Sequence, residues 1–180
     1  STLFPYTTLF RSDSVYEEIG AIGKIFKIED KAEAFIKDQQ DRIQAVQDKV
    51  KDQEPVKVLI YDSGNDGVFT CSGTNFETLL VNLAGGKNIF DELNEKDWVT
   101  VSYEEVIDRN PDIIMIHDYD SPSVEEKIAE IKANPTLSLL DCVKNERFAV
   151  ITLESVLAGN RMAYAVETMA ADFYPELFAE

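Results

Sequence analysis

The first clear pattern along the chain is a run of apolar residues at helical spacing between Asp30 and Lys51. Apolar side chains three, four and seven positions apart lie on one face of a helix, so this stretch predicts a long amphipathic helix. Asp30 is followed three residues later by an acid, which is the spacing of an N-terminal capping box, and Pro55 stops the helix. A helix of this length needs a partner surface for its apolar face.

Short apolar runs alternate with further helical stretches in the rest of the chain. Strands are predicted at 56–61, 99–101, 113–116 and 148–151, with a short extended piece at 69–72. Capping motifs at Thr74 and Ser102 and a polar start at Ser123 open helices, and the last helix is predicted over 160–173. Such alternation is typical of a parallel sheet with right-handed crossovers. We therefore predict an α/β fold: a three-layer α/β/α sandwich with a mostly parallel Rossmann-like sheet, preceded by the long helix.

The composition indicates one folded domain, or at most one and a half. Of the 180 residues 44% are hydrophobic, which is enough apolar material for a core. The 17 basic and 34 acidic residues give a net charge of −17, which argues against nucleic-acid binding. We expect neither a membrane span nor a signal peptide in this chain, because it has no long apolar run and no basic start. Two cysteines, Cys71 and Cys142, are too few for a disulfide scaffold and leave the redox compartment open.

The first residues of the chain do not share the pattern of the rest. They are basic and rich in Thr and Phe, and they show neither helical nor strand periodicity. Residues 2–12 resemble, residue for residue, the translation of a widely used DNA-sequencing adapter. We therefore predict that residues 1–12 are a foreign or disordered tail and exclude them from the fold. The alternative is a native disordered tail.

Three loops are candidates for a ligand site, because open parallel α/β sheets bind ligands at the carboxyl ends of their strands. The loop 62–74 ends in Ser72, Gly73 and Thr74 before a helix, where free backbone N–H groups favour an anionic group. A glycine before a helix cap is also a common way to begin a helix. The loops 117–122 and 152–161 follow the next two confident strands.

Polar side chains are concentrated in these later loops. His117, the only histidine, is followed directly by Asp118 and Tyr119. A histidine with carboxylates could bind a metal, but strong transition-metal sites gather three or four ligands, and a lone histidine at a strand end is more often structural. Arg161 in the last loop can donate two parallel hydrogen bonds to a ligand carboxylate or pair with a neighbouring acid. The residues do not decide between these alternatives, and any metal ligands stay unknown.

The search for catalytic motifs is negative. The chain contains no Gly-x-Ser-x-Gly elbow, P-loop, Gly-x-Gly-x-x-Gly after the first strand, Cys-x-x-Cys or His-Glu-x-x-His. Cys71 would need His117 as its general base, and a buried inert thiol is the commoner situation. We therefore expect a binding protein rather than an enzyme, with no catalytic residues and no cofactor.

Five segments together carry a family resemblance. They are IGKIFKIEDKAEAFI, SGTNFETLLVNLAGGKNIF, WVTVSYEEVIDRNPDIIMI, NPTLSLLDCVKNERFAVI and AGNRMAYAVETMAADFYPELF. Their order and spacing over residues 13–180 resemble the C-terminal half of a class III, helical-hinge substrate-binding protein of bacterial ABC importers. That group captures iron-siderophores, haem, cobalamin and some metal ions.

The resemblance implies a division of the chain and a set of roles. Residues 13–29 would be a remnant of the N-terminal lobe, 30–54 the long hinge helix, and 55–180 the C-terminal α/β ligand-binding lobe. The ligand-facing residues implied by position are Ser72, Gly73, Thr74, His117, Asp118, Tyr119 and Arg161. The implied permease contacts are Glu92, Glu104 and Glu105, for each of which an ordinary solvated acid is the alternative.

The resemblance also implies a function. The chain would be one lobe of a truncated extracytoplasmic receptor, periplasmic or lipid-anchored, that works with an ABC permease and binds an iron complex, haem, a corrinoid or a metal ion. The alternatives are a free-standing flavodoxin-like or Rossmann-like enzyme domain and a folded but functionless fragment. Because part of the hinge helix would lose its apolar partner surface, we expect self-association to a homo-oligomer such as a homodimer.

Overall fold

The computed structural model describes the backbone of residues 6–179 and the side chains of residues 13–179. The helices are α1 (Tyr6–Phe26), α2 (Glu29–Val50), α3 (Phe76–Leu83), α4 (Tyr103–Arg109), α5 (Val124–Ala133), α6 (Asp141–Lys144), α7 (Met162–Phe173) and α8 (Pro175–Phe178). The strands are β1 (Val56–Tyr61), β2 (Ser63–Gly64), β3 (Val68–Cys71), β4 (Gly86–Asn88), β5 (Trp98–Val101), β6 (Ile113–Asp118) and β7 (Phe148–Thr152). Short 3₁₀ turns cover Leu137–Leu139 and Leu153–Ser155.

The main sheet has four parallel strands in the order β4-β1-β6-β7. Its centre is the pair β1 and β6, which are the two most apolar runs of the sequence. The side chains of Ile113, Ile114, Met115 and Ile116 are all buried, as expected for a strand that is covered on both faces. The predicted α/β fold with a parallel central sheet is confirmed.

Successive side chains of the central strands belong to two separate cores. Val58 and Ile60 of β1 pack in the core that contains residues of α2, α3 and α7. Leu59 and Tyr61 pack on the opposite face in the core that contains residues of α4, α5 and α6. This alternation follows from the two-residue repeat of a strand and produces the three layers of the sandwich.

A second, antiparallel sheet of three strands in the order β2-β3-β5 was not foreseen. The predicted strands at 69–72 and 99–101 both form, but they pair with each other instead of joining the parallel sheet. Gly67, at φ +152°, allows the turn, since a Cβ there would lie 2.4 Å from the carbonyl oxygen of Val101. The edge strand β4 was also missed, because Gly-Lys-Asn contains no apolar run that would indicate a strand.

The long helix lies within one residue of its predicted bounds and packs against α1 and α7. Arg42 of α2 donates two hydrogen bonds to Glu167 of α7, at 2.9 and 2.5 Å. The buried Gln39 accepts a hydrogen bond at 3.0 Å from the backbone N–H of Ala163 in the first turn of α7. Helix α7 is therefore held against α2 by polar contacts as well as by apolar ones.

Two of the predicted helix caps are wrong. Asp30 does not cap α2, because the helix already begins at Glu29 and no side chain accepts a hydrogen bond from its first turn. Thr74 does not cap α3 either, since Asn75 accepts from the backbone N–H of Glu77 at 2.9 Å. The helix predicted over 160–173 is α7, which begins at Met162, two residues later than predicted.

The N-terminal part of the chain continues into α1. Residues 6–12, which the sequence assigns to a foreign or disordered tail, have a helical backbone, whereas residues 1–5 lie outside the described part of the chain. The foreign origin of this segment stays a prediction, as do the boundaries of the other segments. Within the described residues, no helix combines the length and the apolar character that crossing a membrane requires.

Candidate functional site

An open groove with a volume of about 640 Å³ lies where β6 and β7 end. Its lining includes Asp118, Tyr119, Asp120, Glu125, Glu154 and Leu157. The groove occupies the carboxyl edge of the parallel sheet, which is where such sheets bind ligands. It combines carboxylates with an aromatic ring and with Leu157, an apolar side chain that is 60% exposed. A small molecule with both polar and apolar surface fits this lining.

The three residues predicted at the end of β6 have different environments. Asp118 is exposed and lines the groove, and Tyr119 lines it while half-buried. The hydroxyl of Tyr119 donates towards the carbonyl oxygen and Oδ2 of Asp62, both at 3.1 Å. His117 has no exposed surface and is not among the residues that line the groove. The structure therefore brings Asp118 and Tyr119 to the groove surface but not His117.

His117 lies between two carboxylates. Its Nδ1 is 3.1 Å from Oδ1 of Asp62, and its Nε2 is 2.8 and 2.9 Å from the two carboxylate oxygens of Glu77. Burial alone would lower the pKa of His117, but hydrogen bonds to these carboxylates and their charges outweigh it and raise the pKa to about 9. Burial likewise opposes ionisation of Asp62, yet the hydrogen bonds from His117 and Tyr119 bring the pKa of that carboxyl below its ordinary value.

Cys71 belongs to the same cluster and is not poised to react. Its thiol donates to Oε2 of Glu77 at 3.2 Å. Burial and the neighbouring Glu77 carboxylate raise the pKa of Cys71 far above that of a free thiol. Cys142 is buried in the other core, so the two thiols are separated by the sheet and both are free. These surroundings agree with the expected inert thiol.

Lys127 of α5 is a buried cation that the sequence analysis missed. Its Nζ donates to the backbone oxygen of His117 at 2.8 Å and lies 3.5 Å from the centre of the Tyr119 ring. Burial lowers the pKa of Lys127, and the carboxylates of Asp62 and Asp118 oppose that shift. A signal existed in the sequence, since Lys127 stands three and four residues from the apolar Val124 and Ile131 on the inward face of the helix.

Glu77 and Asp62 were also overlooked as parts of a charged cluster. Glu77 is the acid of the capping motif predicted at Thr74, but its side chain is 1% exposed and faces His117. Asp62 follows β1 directly, at the carboxyl edge of the sheet. For Asp62, the position next to a strand end was a signal that it could belong to a site at that edge. The contact of Asp62 and Glu77 with His117 had no local signal, because both residues lie far from His117 in the sequence.

The turn of Ser72, Gly73 and Thr74 is occupied by contacts within the chain. Ser72 donates to the backbone oxygen of Lys96 at 2.5 Å, and Thr74 donates to Oδ1 of Asp97 at 2.7 Å. A Cβ at Gly73 would lie 1.9 Å from the carbonyl oxygen of Asp91, so the two backbones touch. These hydrogen bonds and the close backbone contact hold the turn against the segment 91–97, and none of its three residues lines the groove.

The remaining candidates are charged side chains near the surface. Arg161 pairs with Glu154, whose side chain lines the groove, so the ion pair is the arrangement found in this chain. Glu92 pairs with Arg109, Glu105 accepts hydrogen bonds from Ser102 in a capping box, and Glu104 is exposed. Within the described residues, no three or more His, Cys, Asp and Glu side chains are arranged to hold a metal ion.

The layered sheet, the long helix at its start and the groove at the strand ends define the class of fold, an α/β sandwich with a parallel central sheet. The sequence matches the periplasmic binding protein family over residues 2–154, so the chain belongs to that family.

Similar proteins agree with this assignment. A crystal structure of a periplasmic binding protein from Veillonella parvula is 30% identical, with a TM-score of 0.84, and the match covers 93% of this chain and 60% of that one. YvrC of Bacillus subtilis, an uncharacterized ABC transporter substrate-binding lipoprotein, is 27% identical over 170 residues, 92% of this chain and 52% of its own length. A cobalamin-binding protein of Halobacterium salinarum is 26% identical over 115 residues, 63% of this chain and 31% of its own length.

The coverage shows that the chain corresponds to part of these proteins. It spans about half the length of its Bacillus relative and less of the Halobacterium one. The Bacillus relative is named as a transporter substrate-binding lipoprotein, and the Veillonella structure as a periplasmic binding protein.

Proposed function

We propose that this chain is one lobe of the receptor of an ABC importer and that it binds a small metal chelate in the groove at the ends of β6 and β7. The observation that carries the proposal is the position of the 640 Å³ groove at the carboxyl edge of a sheet whose sequence belongs to the periplasmic binding protein family. A relative named as cobalamin-binding supports the ligand class. The ligand is an iron-siderophore or a related chelate, with haem and corrinoids in the same class.

In this function Asp118 and Tyr119 contact the ligand directly. Tyr119 offers an aromatic face to the organic part of the chelate, and Asp118 accepts hydrogen bonds at the rim of the groove. Arg161 exchanges its partner Glu154 for a carboxylate of the ligand, since the planar guanidinium can donate two parallel hydrogen bonds to either carboxylate. The metal arrives as part of the cargo, so the protein holds no cofactor of its own.

The partners follow from the same proposal. An ABC permease receives the ligand outside the cytoplasm, and the exposed Glu104 is a candidate contact for it. Self-association is supported by apolar side chains around the turn between α1 and α2. They are Ile22, Ile25, Phe26 and Ile28, with exposed fractions of 51%, 74%, 69% and 42%. Apolar surface of this extent favours contact with another copy.

Native mass spectrometry of the purified chain tests the proposal. The chain is sprayed alone and with ferric siderophores, haem, cobinamide and divalent metal ions. A mass increment from one chelate is expected, and Tyr119→Ala should weaken that binding at least about tenfold because it removes the aromatic face. Tyr164→Ala is the matched control, since Tyr164 is an exposed tyrosine of α7 outside the groove lining.

Two results would contradict the proposal. One is the absence of any increment across the panel at a chain concentration where the protein is folded. The other is equal affinity of the Tyr119 and Tyr164 variants, which would place the ligand elsewhere. Turnover of a panel member, or a cofactor retained through purification, would favour the alternative of an enzyme domain.

A further inference from the structure

The ring of His117 faces an acceptor on each side. Nδ1 is 3.1 Å from an oxygen of Asp62, and Nε2 is 2.8 Å from an oxygen of Glu77. A neutral imidazole has one N–H and one bare nitrogen, so it can donate to only one carboxylate and would turn a lone pair towards the other. The imidazolium donates from both nitrogens and satisfies both carboxylates at once.

A proton on one of the carboxylates is the competing arrangement. Asp62 accepts further hydrogen bonds from Tyr119 at 3.1 Å and from Ser63 at 3.2 Å. Glu77 accepts one from the Cys71 thiol at 3.2 Å. Donors that surround a carboxylate stabilise its ionised form. The contacts therefore favour two carboxylates and one imidazolium.

The charges of the buried cluster balance in that state. The charged and titratable groups that surround His117 are Asp62, Glu77, Cys71, Tyr119 and Lys127, with Asp97 and Asp118 farther out. The imidazolium and the Lys127 ammonium offset the two carboxylates, as buried charges require. The ring of Trp98 packs edge-on against His117, with the ring centres 5.8 Å apart.

The cluster is connected to the groove through Asp62. One oxygen of Asp62 faces His117, and the other accepts from the Tyr119 hydroxyl. Lys127 adds a second connection, because its Nζ binds the backbone oxygen of His117 and lies over the Tyr119 ring. The orientation of Tyr119 in the groove wall thus depends on groups that His117 holds in place.

We propose that His117, as an imidazolium, is a positioning residue of the ligand groove: it orients Asp62, which in turn fixes the ring of Tyr119. The role given to Tyr119 rests on the proposed function, whereas the charge of His117 does not. The carboxylates raise the pKa of His117 to about 9, so the ring keeps its proton at neutral pH. As the pH rises through 9, the ring loses one of its two hydrogen bonds and Tyr119 loses its fixed anchor.

Nitrogen-15 NMR of the labelled, ligand-free chain tests this without any substitution. The chain has one histidine and one tryptophan, so each gives one set of side-chain signals. At pH 7 both ring nitrogens of His117 should carry a proton, and the ring should titrate near pH 9. The amide signal of Tyr119 and the fluorescence of Trp98 should follow the same pH profile.

Three outcomes would overturn the inference. They are a single protonated ring nitrogen at pH 7, a ring that titrates near the ordinary value of about 6.5, and a Tyr119 signal that ignores the titration of the ring. A merely structural histidine would change the melting temperature with pH but would not impose its own midpoint on the Tyr119 signal.

Two variants test the connection step by step. Asp62→Asn removes one carboxylate charge, and the titration of His117 should then fall by at least one pH unit, a tenfold loss of proton affinity. Asp108→Asn makes the same change at an exposed position of α4 and should leave the titration in place. Equal titrations in both variants would contradict the role of Asp62.

Tyr119→Phe supplies a second readout should the Asp62 variant not fold. It keeps the ring and removes only the hydroxyl that Asp62 accepts. His117 should still titrate near pH 9, while the signal of residue 119 should lose its pH profile; an unchanged profile would refute the connection. All these samples are ligand-free, so failure of the NMR predictions would refute the role of His117 and leave the proposed function untouched. Conversely, a protonated His117 in a chain that binds no chelate would refute the proposed function and leave the charge of His117 established.

Discussion

Two segments that the sequence indicates as candidates for a ligand site, the turn 72–74 and the loop 117–122, have different environments. In the first, every polar side chain has a partner inside the chain, and Gly73 touches the backbone of Asp91. In the second, Asp118 and Asp120 are exposed at the groove. A position near a strand end therefore does not by itself make a polar residue available to a ligand.

The largest effect should come from Gly73→Ala, which pushes a methyl group into this satisfied turn. A Cβ at Gly73 would lie 1.9 Å from a backbone oxygen, and backbone cannot rotate aside as a side chain can. We expect a loss of at least about 3 kcal/mol of unfolding free energy, the upper range for overpacking. Urea denaturation measures it.

Gly159→Ala is the matched control for that substitution. It lies in the loop after β7, and the nearest atom to its Cβ is 4.0 Å away. Its unfolding free energy should stay within about 0.5 kcal/mol of the unsubstituted chain. Equal losses at the two glycines would show that the turn 72–74 is no tighter than the loop near the groove.

The next largest effect is the pH dependence of the unfolding free energy, to which His117 of the buried cluster contributes. The pKa of His117 is raised from 6.5 to about 9 in the folded chain, so its contribution to stability is fully present below pH 6.5 and is lost as the pH rises through 9. Between pH 6 and pH 8.5 the loss should be about 2 kcal/mol. Urea unfolding at both pH values measures it, and His117→Gln should abolish this part of the pH dependence.

An equal pH dependence in the chain with Gln at position 117 would assign the effect to other groups. Cysteines, with an ordinary pKa near 8.5, also begin to ionise in the unfolded chain by pH 8.5. Both chains contain the same two cysteines, so the difference between them isolates the contribution of His117. The lowered pKa of Asp62 does not affect this comparison. The contribution of Asp62 to the unfolding free energy is lost only when the pH falls into the acid range, below the pH values compared.

The fold could be predicted from local signals, whereas the cluster could not. The runs at 56–61 and 113–116 and the cap at Ser102 carry their structure within a few residues, and each formed as expected. Asp62 and Glu77 lie 55 and 40 residues from His117 in the sequence. Their meeting depends on how β1, α3 and β6 pack, and no local pattern encodes that.

The same reasoning explains the strands that were missed or misplaced. A short polar strand such as β4 is held by its neighbour β1, with Val56 opposite Gly86, rather than by its own pattern. Both β3 and β5 were predicted as extended segments, but their pairing with each other was not. Pairing is a property of two segments, so a single apolar run predicts the strand and leaves its sheet open.

Lys127→Met should have an intermediate effect. The substitution keeps most of the buried chain length but removes the hydrogen bond to the His117 backbone and one cation of the balanced cluster. The remaining carboxylates then lack an offsetting charge, so we expect a loss of about 2 kcal/mol of unfolding free energy. Lys132→Met on the same helix is the control, since Lys132 forms an exposed pair with Glu146 and should change stability by less than about 0.5 kcal/mol.

The smallest effect on stability should come from Arg161→Ala at the groove. The Arg161 side chain is 48% exposed and its partner Glu154 is 65% exposed, so water screens the ion pair. Loss of the pair should therefore change the free energy of unfolding by less than about 0.5 kcal/mol. Chelate affinity should nevertheless fall if the guanidinium exchanges Glu154 for the ligand. Lys144→Ala, which breaks the exposed pair with Asp141, leaves both properties unchanged. If Arg161→Ala leaves the chelate affinity unchanged, Arg161 does not contact the ligand, and Asp118 and Tyr119 remain as the proposed contacts. In that case the pairing of Arg161 with Glu154 keeps it from the ligand, as the internal hydrogen bonds of the turn 72–74 do for Ser72 and Thr74.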